Sequence, residues 1–290
     1  MAKYYEGLIQ NFPKASPAAL AEAHFLLGRA AFDQGDFKSS ISHMAEAKTL
    51  DPQKYGEQVN VLSVLSYHKL QDVKKLKEAL ETLQKENPSA VARVPDVIPA
   101  WLGLQAYGMK DLETADKYMT WATQNDQLQN VKKVIWRNLA KVRLALKKYD
   151  RALVASNNFL KDEDQPYRRA DGLLDKASIL LGLGRYADAR KTAEEALALG
   201  VEGPLMASLK IILGDISYAE KKFDEAAKYY GVTAELFVND AELKPKALFK
   251  AAEALDKAGR KSEASQYRAR LQKEFPDWKQ DEESLPPDAR

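Results

Sequence analysis

Residues 21–52 read AEAHFLLGRAAFDQGDFKSSISHMAEAKTLDP. Their spacing describes two amphipathic helices joined by a tight turn at Gly35-Asp36 and closed by Asp51-Pro52. With Ala21 counted as position 1, Leu27 stands at 7, Gly28 at 8, Ala31 at 11, Gly35 at 15, Phe37 at 17, Ser40 at 20, Met44 at 24, Ala47 at 27 and Pro52 at 32. Small residues at 8, 20 and 27 let two helix backbones approach closely, and large apolar residues around them fill the space between. Many helical hairpins share these features, so recurrence decides the fold.

The same frame restarts at 57, 96, 133, 170, 207 and 245, in steps of 36 to 39 residues. Position 8 is Gly or Ala in six of the seven copies, and position 20 is Ala or Ser in six of seven. The copy at 57–88 departs most: Val64, Leu76 and Leu83 replace all three small residues, and their bulk is expected to hold the two helices further apart. Pro95 and Pro99 make Ser89–Val97 a linker that ends in the first turn of the next helix. Upstream, Tyr4 to Pro13 matches the end of a second helix whose first helix is missing, so either the chain cuts into a longer protein or a lone helix opens the array.

This pattern resembles the tetratricopeptide repeat, W-x2-L-G-x2-Y followed by A-x3-F and P. The resemblance rests on Leu27-Gly28, Leu102-Gly103 and Leu213-Gly214, on the alanines at position 20 and on Pro52, Pro88 and Pro276. It implies an all-α protein: a right-handed α-solenoid of about seven helix-turn-helix units plus an N-terminal single helix. The solenoid spans 1–276, with 1–13 as a half repeat and 277–290 as a disordered polar tail. Repeats ending in NFP or EFP look similar to those of bacterial envelope proteins, which favours a periplasmic or cell-envelope location over a cytoplasmic one.

Composition narrows the chemistry. The net charge of +2 demands neither nucleic acid nor an anionic membrane as partner. The absence of cysteine rules out disulfides and thiolate chemistry. His24, His43 and His68 sit at positions 4, 23 and 12 of their repeats, with no i,i+4 pair, so no metal or catalytic set is expected. Gly182-Leu183-Gly184-Arg185-Tyr186-Ala187 matches a dinucleotide fingerprint by letter, but Leu173–Leu181 reads as helix where that fingerprint needs a strand. No nucleophile–base pair and no cofactor motif emerges, and the expected role is non-catalytic.

In the tetratricopeptide family the binding surface is formed mainly by positions 2, 5, 6, 9, 12 and 13 of the first helices. Here the resemblance implies His68, Trp101, Leu104 and Tyr107 as an aromatic shelf. Arg137, Asn138 and Lys141 follow, with Lys133 one turn earlier, then Asp175 and Ser178, then Asp215 and Tyr218. Lys133, Arg137 and Lys141 recur every four residues, forming one cationic stripe on a helix. Such a surface suits a protein or peptide partner carrying apolar and acidic side chains. Two readings of the stripe stand together: it binds a ligand, or Asp171 and Asp175 on the adjacent first helix neutralise it internally. A different class of function, self-assembly through the terminal helix faces, rests on the unpaired opening helix; RNA binding is a minor alternative.

Overall fold

The computed structural model describes residues 2–11, 14–124, 129–161, 163–236 and 240–280. Fifteen α-helices and no strand are found among them. The chain is all-α, and the helices gather into two compact units, Met1–Ile135 and Trp136–Arg290.

The first unit holds α1 (Ala2–Asn11), α2 (Pro17–Asp33), α3 (Phe37–Leu50), α4 (Pro52–Lys69), α5 (Val73–Glu86), α6 (Val97–Gly108) and α7 (Leu112–Thr123). The division falls inside α8 (Gln129–Ala145). The second unit continues with α9 (Tyr149–Leu160), α10 (Pro166–Gly182), α11 (Tyr186–Ala198), α12 (Gly203–Ala219), α13 (Phe223–Leu236), α14 (Leu243–Lys257) and α15 (Lys261–Glu274). None of these helices is long and apolar enough to cross a membrane.

Helices pair as hairpins because small residues stand where two backbones cross. A Cβ added to Gly103 of α6 would lie 2.7 Å from Met119 Cγ and 2.9 Å from the Met119 backbone nitrogen of α7, closer than real atoms approach. Tight turns join the pairs, and each carries one residue of positive φ: Gly35, Gln71, Lys110, Lys147, Gly184, Lys221 and Gly259. Where that residue is glycine the left-handed backbone is free of strain; Gln71 and the three lysines adopt it within the same hydrogen-bonded helix-closing turn, in which Asp72 N donates to the Tyr67 carbonyl at 3.1 Å, Asp111 N to Ala106 at 2.9 Å, Lys148 N to Arg143 at 2.8 Å and Lys222 N to Ser217 at 2.8 Å.

Helix starts follow local chemistry. Pro17, Pro52 and Pro166 open α2, α4 and α10, where a missing N–H costs nothing. The Asp51 carboxylate accepts from Lys54 N at 3.0 Å, closing α3 and capping α4 with one residue.

The first unit has a core of Val64, Leu76, Leu80, Leu83, Leu102 and Tyr118, so the bulky residues of the divergent copy are fully buried there. The second has a larger core in which Ala177, Ala189, Ala193 and Ala196 alternate with Leu173, Leu209 and Ile216. Two segments outside the helical hairpins also pack against them. Pro88–Arg93, which overlaps the expected linker Ser89–Val97, forms a 3₁₀ segment whose Ala90 is buried in the first core, along with nearby Val94. Trp278, within the segment expected as a polar tail, places its ring 5.6 Å from that of Phe249 on α14. The acidic run Asp281-Glu282-Glu283 and the rest of the expected tail to Arg290 lie outside the described residues.

Candidate functional site

In the first unit, α4 and α6 present the expected aromatic shelf. His68 meets the Trp101 ring edge-to-face, with centroids 5.4 Å apart. Trp101 is partly buried against the core, and Leu104 and Tyr107 are also half-buried. Burial, followed by the charge of Lys69, holds the His68 imidazole below its ordinary range. The shelf is therefore partly a packing surface.

A groove of about 190 Å³ lies elsewhere in this unit, lined by Phe25 and Arg29 of α2, Gln58, Val61 and Leu62 of α4, and Arg93. At its apolar wall Phe25 stacks on Tyr55, with ring centroids 4.7 Å apart. Arg93 at its rim pairs with Glu57 at 2.7 Å. Arg29 is exposed and has no ion-pair or hydrogen-bond partner among the described residues. Phe25 and Arg29 occupy positions 5 and 9 of the first repeat. Neither residue belongs to the surface expected from the sequence, which begins at His68.

The first hairpin holds one further feature. His24 of α2 and His43 of α3, nineteen residues apart, bring their Nδ1 atoms within 3.0 Å. Each histidine is inconspicuous on its own helix; only the pairing of the helices unites them. Burial, with the facing His43 second, lowers the proton affinity of His24, and Glu46 offsets this in part.

Lys133 of α8 is half-buried. In the second unit Arg137 of α8 forms an ion pair with Asp171 of α10. The next pair is longer: Lys141 Nζ stands 3.8 Å from Asp175 Oδ2, too far for a hydrogen bond. Asp175 Oδ2 and Arg137 Nε are buried without a hydrogen-bond partner among the described residues. Desolvation pushes the Asp175 carboxyl up to about 6, and the cations Lys141 and Arg137 recover only part of the cost. Nearby, Asn138 is half-buried, and the Ser178 hydroxyl donates to the Leu174 carbonyl at 3.0 Å.

Asp215 and Tyr218, expected on an open surface, are buried at 2% and 3% exposure. Asp215 accepts from Lys250 Nζ at 2.8 Å and from the Tyr230 hydroxyl at 2.6 Å. Tyr218 packs edge-to-face on Phe223, with centroids 5.1 Å apart. The first-helix positions of α12 face α13 and α14 here, and a carboxylate buried among them has to be paired.

Comparison with known proteins follows this geometry. One tetratricopeptide repeat model matches residues 2–55 and 174–236, and a second matches 246–277, together just over half of the chain. No curated protein matches in sequence. The apo form of RapI is similar in structure, with a TM-score of 0.55 at 15% identity over 91% of this chain and 79% of that one. A Rap protein complexed with competence and sporulation factor gives 0.52 at 15% identity, covering 89% and 77%. BtubC from P. vanneervenii gives 0.52 at 17% identity, covering 76% and 93%. At these identities the likeness concerns the fold. Helical hairpins with small residues at their crossings, recurring in one frame and matched by both models, make this chain a member of the tetratricopeptide repeat family.

Proposed function

We propose that this protein is a non-catalytic interaction scaffold that binds a peptide segment or partner protein through its first unit. The observation that carries the reading is the groove walled by Phe25, Val61 and Leu62, with the unpaired Arg29 at its edge. An apolar wall beside an uncompensated cation complements an apolar side chain flanked by a carboxylate. The cations of the second unit are weaker candidates, since Arg137 and Lys141 already face Asp171 and Asp175.

Selection from a displayed library of random peptides tests this. Ligands enriched on the parent protein should combine apolar and acidic residues. Arg29→Glu should weaken them by about tenfold, or roughly 1.4 kcal/mol, and reduce the salt dependence of binding. Reversing Lys141 should leave them nearly unchanged. Ligands without acidic residues, or affinities indifferent to Arg29→Glu, would remove the groove from the proposal.

A further inference from the structure

We propose that His24 and His43 form a site for one borderline divalent cation, of the zinc, nickel or copper class, held between the two helices of the first hairpin. The site does not depend on the partner-binding reading above.

The geometry is specific. Nδ1 of one imidazole stands 3.0 Å from Nδ1 of the other, and the ring centroids are 5.2 Å apart. Two ring nitrogens this close direct their lone pairs into one small volume, which either a shared proton or a shared cation can fill. Metal–nitrogen bonds of about 2.0–2.1 Å at a tetrahedral angle place two ligating nitrogens roughly 3.3 Å apart. The rings need to open by only about 0.3 Å, within the reach of small χ adjustments.

Their supports are fixed. Ala21, Ala23, Leu27 and Gly28 on α2 and Ser40, Met44 and Ala47 on α3 are all buried, so the backbones carrying the two rings are already in place. Both rings are partly exposed, which leaves an entry path.

Proton balance is simple. With both imidazoles neutral, one Nδ1–H donates to the other Nδ1. When the cation arrives, the donor ring shifts its hydrogen to its own Nε2 and both Nδ1 atoms ligate, with no net release of protons. Among the described residues no group of three or more His, Cys, Asp or Glu is placed to hold a metal. Water therefore completes the shell, and binding is weaker than at a closed four-ligand site. By ligand type and the general order of divalent affinities, copper should bind most tightly of the three.

The chain's third histidine supplies an internal control, because His68 lies on α4 against Trp101. Calorimetric titration with each metal salt at near-neutral pH should give one equivalent per chain. His24→Gln and His43→Gln should each lower the affinity by about tenfold or more, and His68→Gln should leave it unchanged. A second measurement needs no variant: in the unsubstituted chain, added zinc should move the ring resonances of two histidines and leave the third in place. Absence of binding by all three ions up to about 1 mM overturns the site. So does affinity that survives His24→Gln, or a zinc-induced shift of the His68 ring.

Discussion

In the first unit the second helix of each hairpin begins at an aspartate, Asp36, Asp72 or Asp111, whose carboxylate accepts from Ser39 N at 3.0 Å, Lys75 N at 2.9 Å or Thr114 N at 3.2 Å. In the second unit the same place in the turn is held by Lys148, Arg185, Lys222 and Arg260. Lys148, Arg185 and Arg260 make no side-chain cap bond, and a cation there faces the positive end of the helix dipole. The acid has moved into the first turn instead, as Asp150, Asp188, Asp224 with Glu225, and Glu263. Arg185 reaches Asp188 at 2.6 Å, and Arg260 reaches Glu263 at 2.6 Å and Asp224 of the preceding hairpin at 2.9 Å. Arg190 joins α11 to Glu220 at 2.7 Å and to Glu225 at 3.1 Å. The two units thus start the second helix differently: in the first an aspartate caps the backbone, whereas in the second a basic residue stands in that place and Arg185 and Arg260 pair with an acid of the first turn, an exposed arrangement that salt weakens.

The largest effects should come from the cores and should have opposite signs of volume. α5 of the first unit buries Leu76, Leu80 and Leu83 completely, whereas α13 of the second presents Ala226 and Ala227 to Tyr218, Ala251 and Leu255. Removing volume therefore damages the first unit and adding it damages the second. Leu80→Ala should cost about 2–5 kcal/mol. Ala226→Trp, which forces a ring between close helices, should cost about 1–3 kcal/mol or more. Hydrogen exchange resolved by peptide should report each loss within its own unit, since stability in repeat arrays is assembled from neighbouring units. Equal deprotection of both units by either variant would mean that the chain unfolds as one block and that the contrast has no energetic meaning.

Acid separates two particular carboxylates. The Asp111 cap is held below its ordinary range, first by the Thr114 side chain, so its contribution is lost as pH falls. Asp175 behaves in the opposite way, being raised from 3.8 to about 6 by burial. Its folded form binds a proton that the unfolded chain releases, so its contribution is full below the ordinary carboxylate range and is lost as pH rises through about 6. That change corresponds to about 3 kcal/mol across the window. Asp175→Asn should flatten the stability profile between pH 4 and pH 6 and leave the Asp111 limb unchanged. Urea midpoints measured across that range would decide; a variant profile parallel to the parent's shows that Asp175 ionises freely.

The fold was legible because its signal is local and repeated. Gly28, Gly103 and Ala226 mark helix crossings by size alone, and Gly35, Gly184 and Gly259 mark turns by the backbone they permit. Lys147 and Lys221 take the same left-handed conformation inside the same hydrogen-bonded turn, with no residue type to mark it in the sequence. Site residues were less legible. Position in the frame places a side chain on a helix but does not say what stands opposite: it predicts a surface position for Asp215, which is buried and paired with Lys250, thirty-five residues on. The ion pairing of Arg137 with Asp171 was one of two readings the sequence left open. The meeting of His24 and His43 appears only when two faces are read together.

The smallest effect tests the capping contrast itself. Asp72→Ala removes an acceptor from the start of α5 while leaving the buried face of that helix intact, and should cost about 1 kcal/mol. Arg185→Ala, at the equivalent place before α11, removes an exposed ion pair with Asp188 and relieves a cation at a helix N-terminus. Those two terms oppose each other, so its net cost should stay below about 0.5 kcal/mol. Salt sharpens the difference. The Asp72 cap is a short charge-assisted hydrogen bond, so its loss should be nearly as costly in molar salt as in dilute buffer, whereas the Arg185 effect should vanish. Denaturant midpoints for both variants at the two salt concentrations give the comparison, and an Arg185→Ala loss equal to that of Asp72→Ala would show that the basic turns are capped as firmly as the acidic ones.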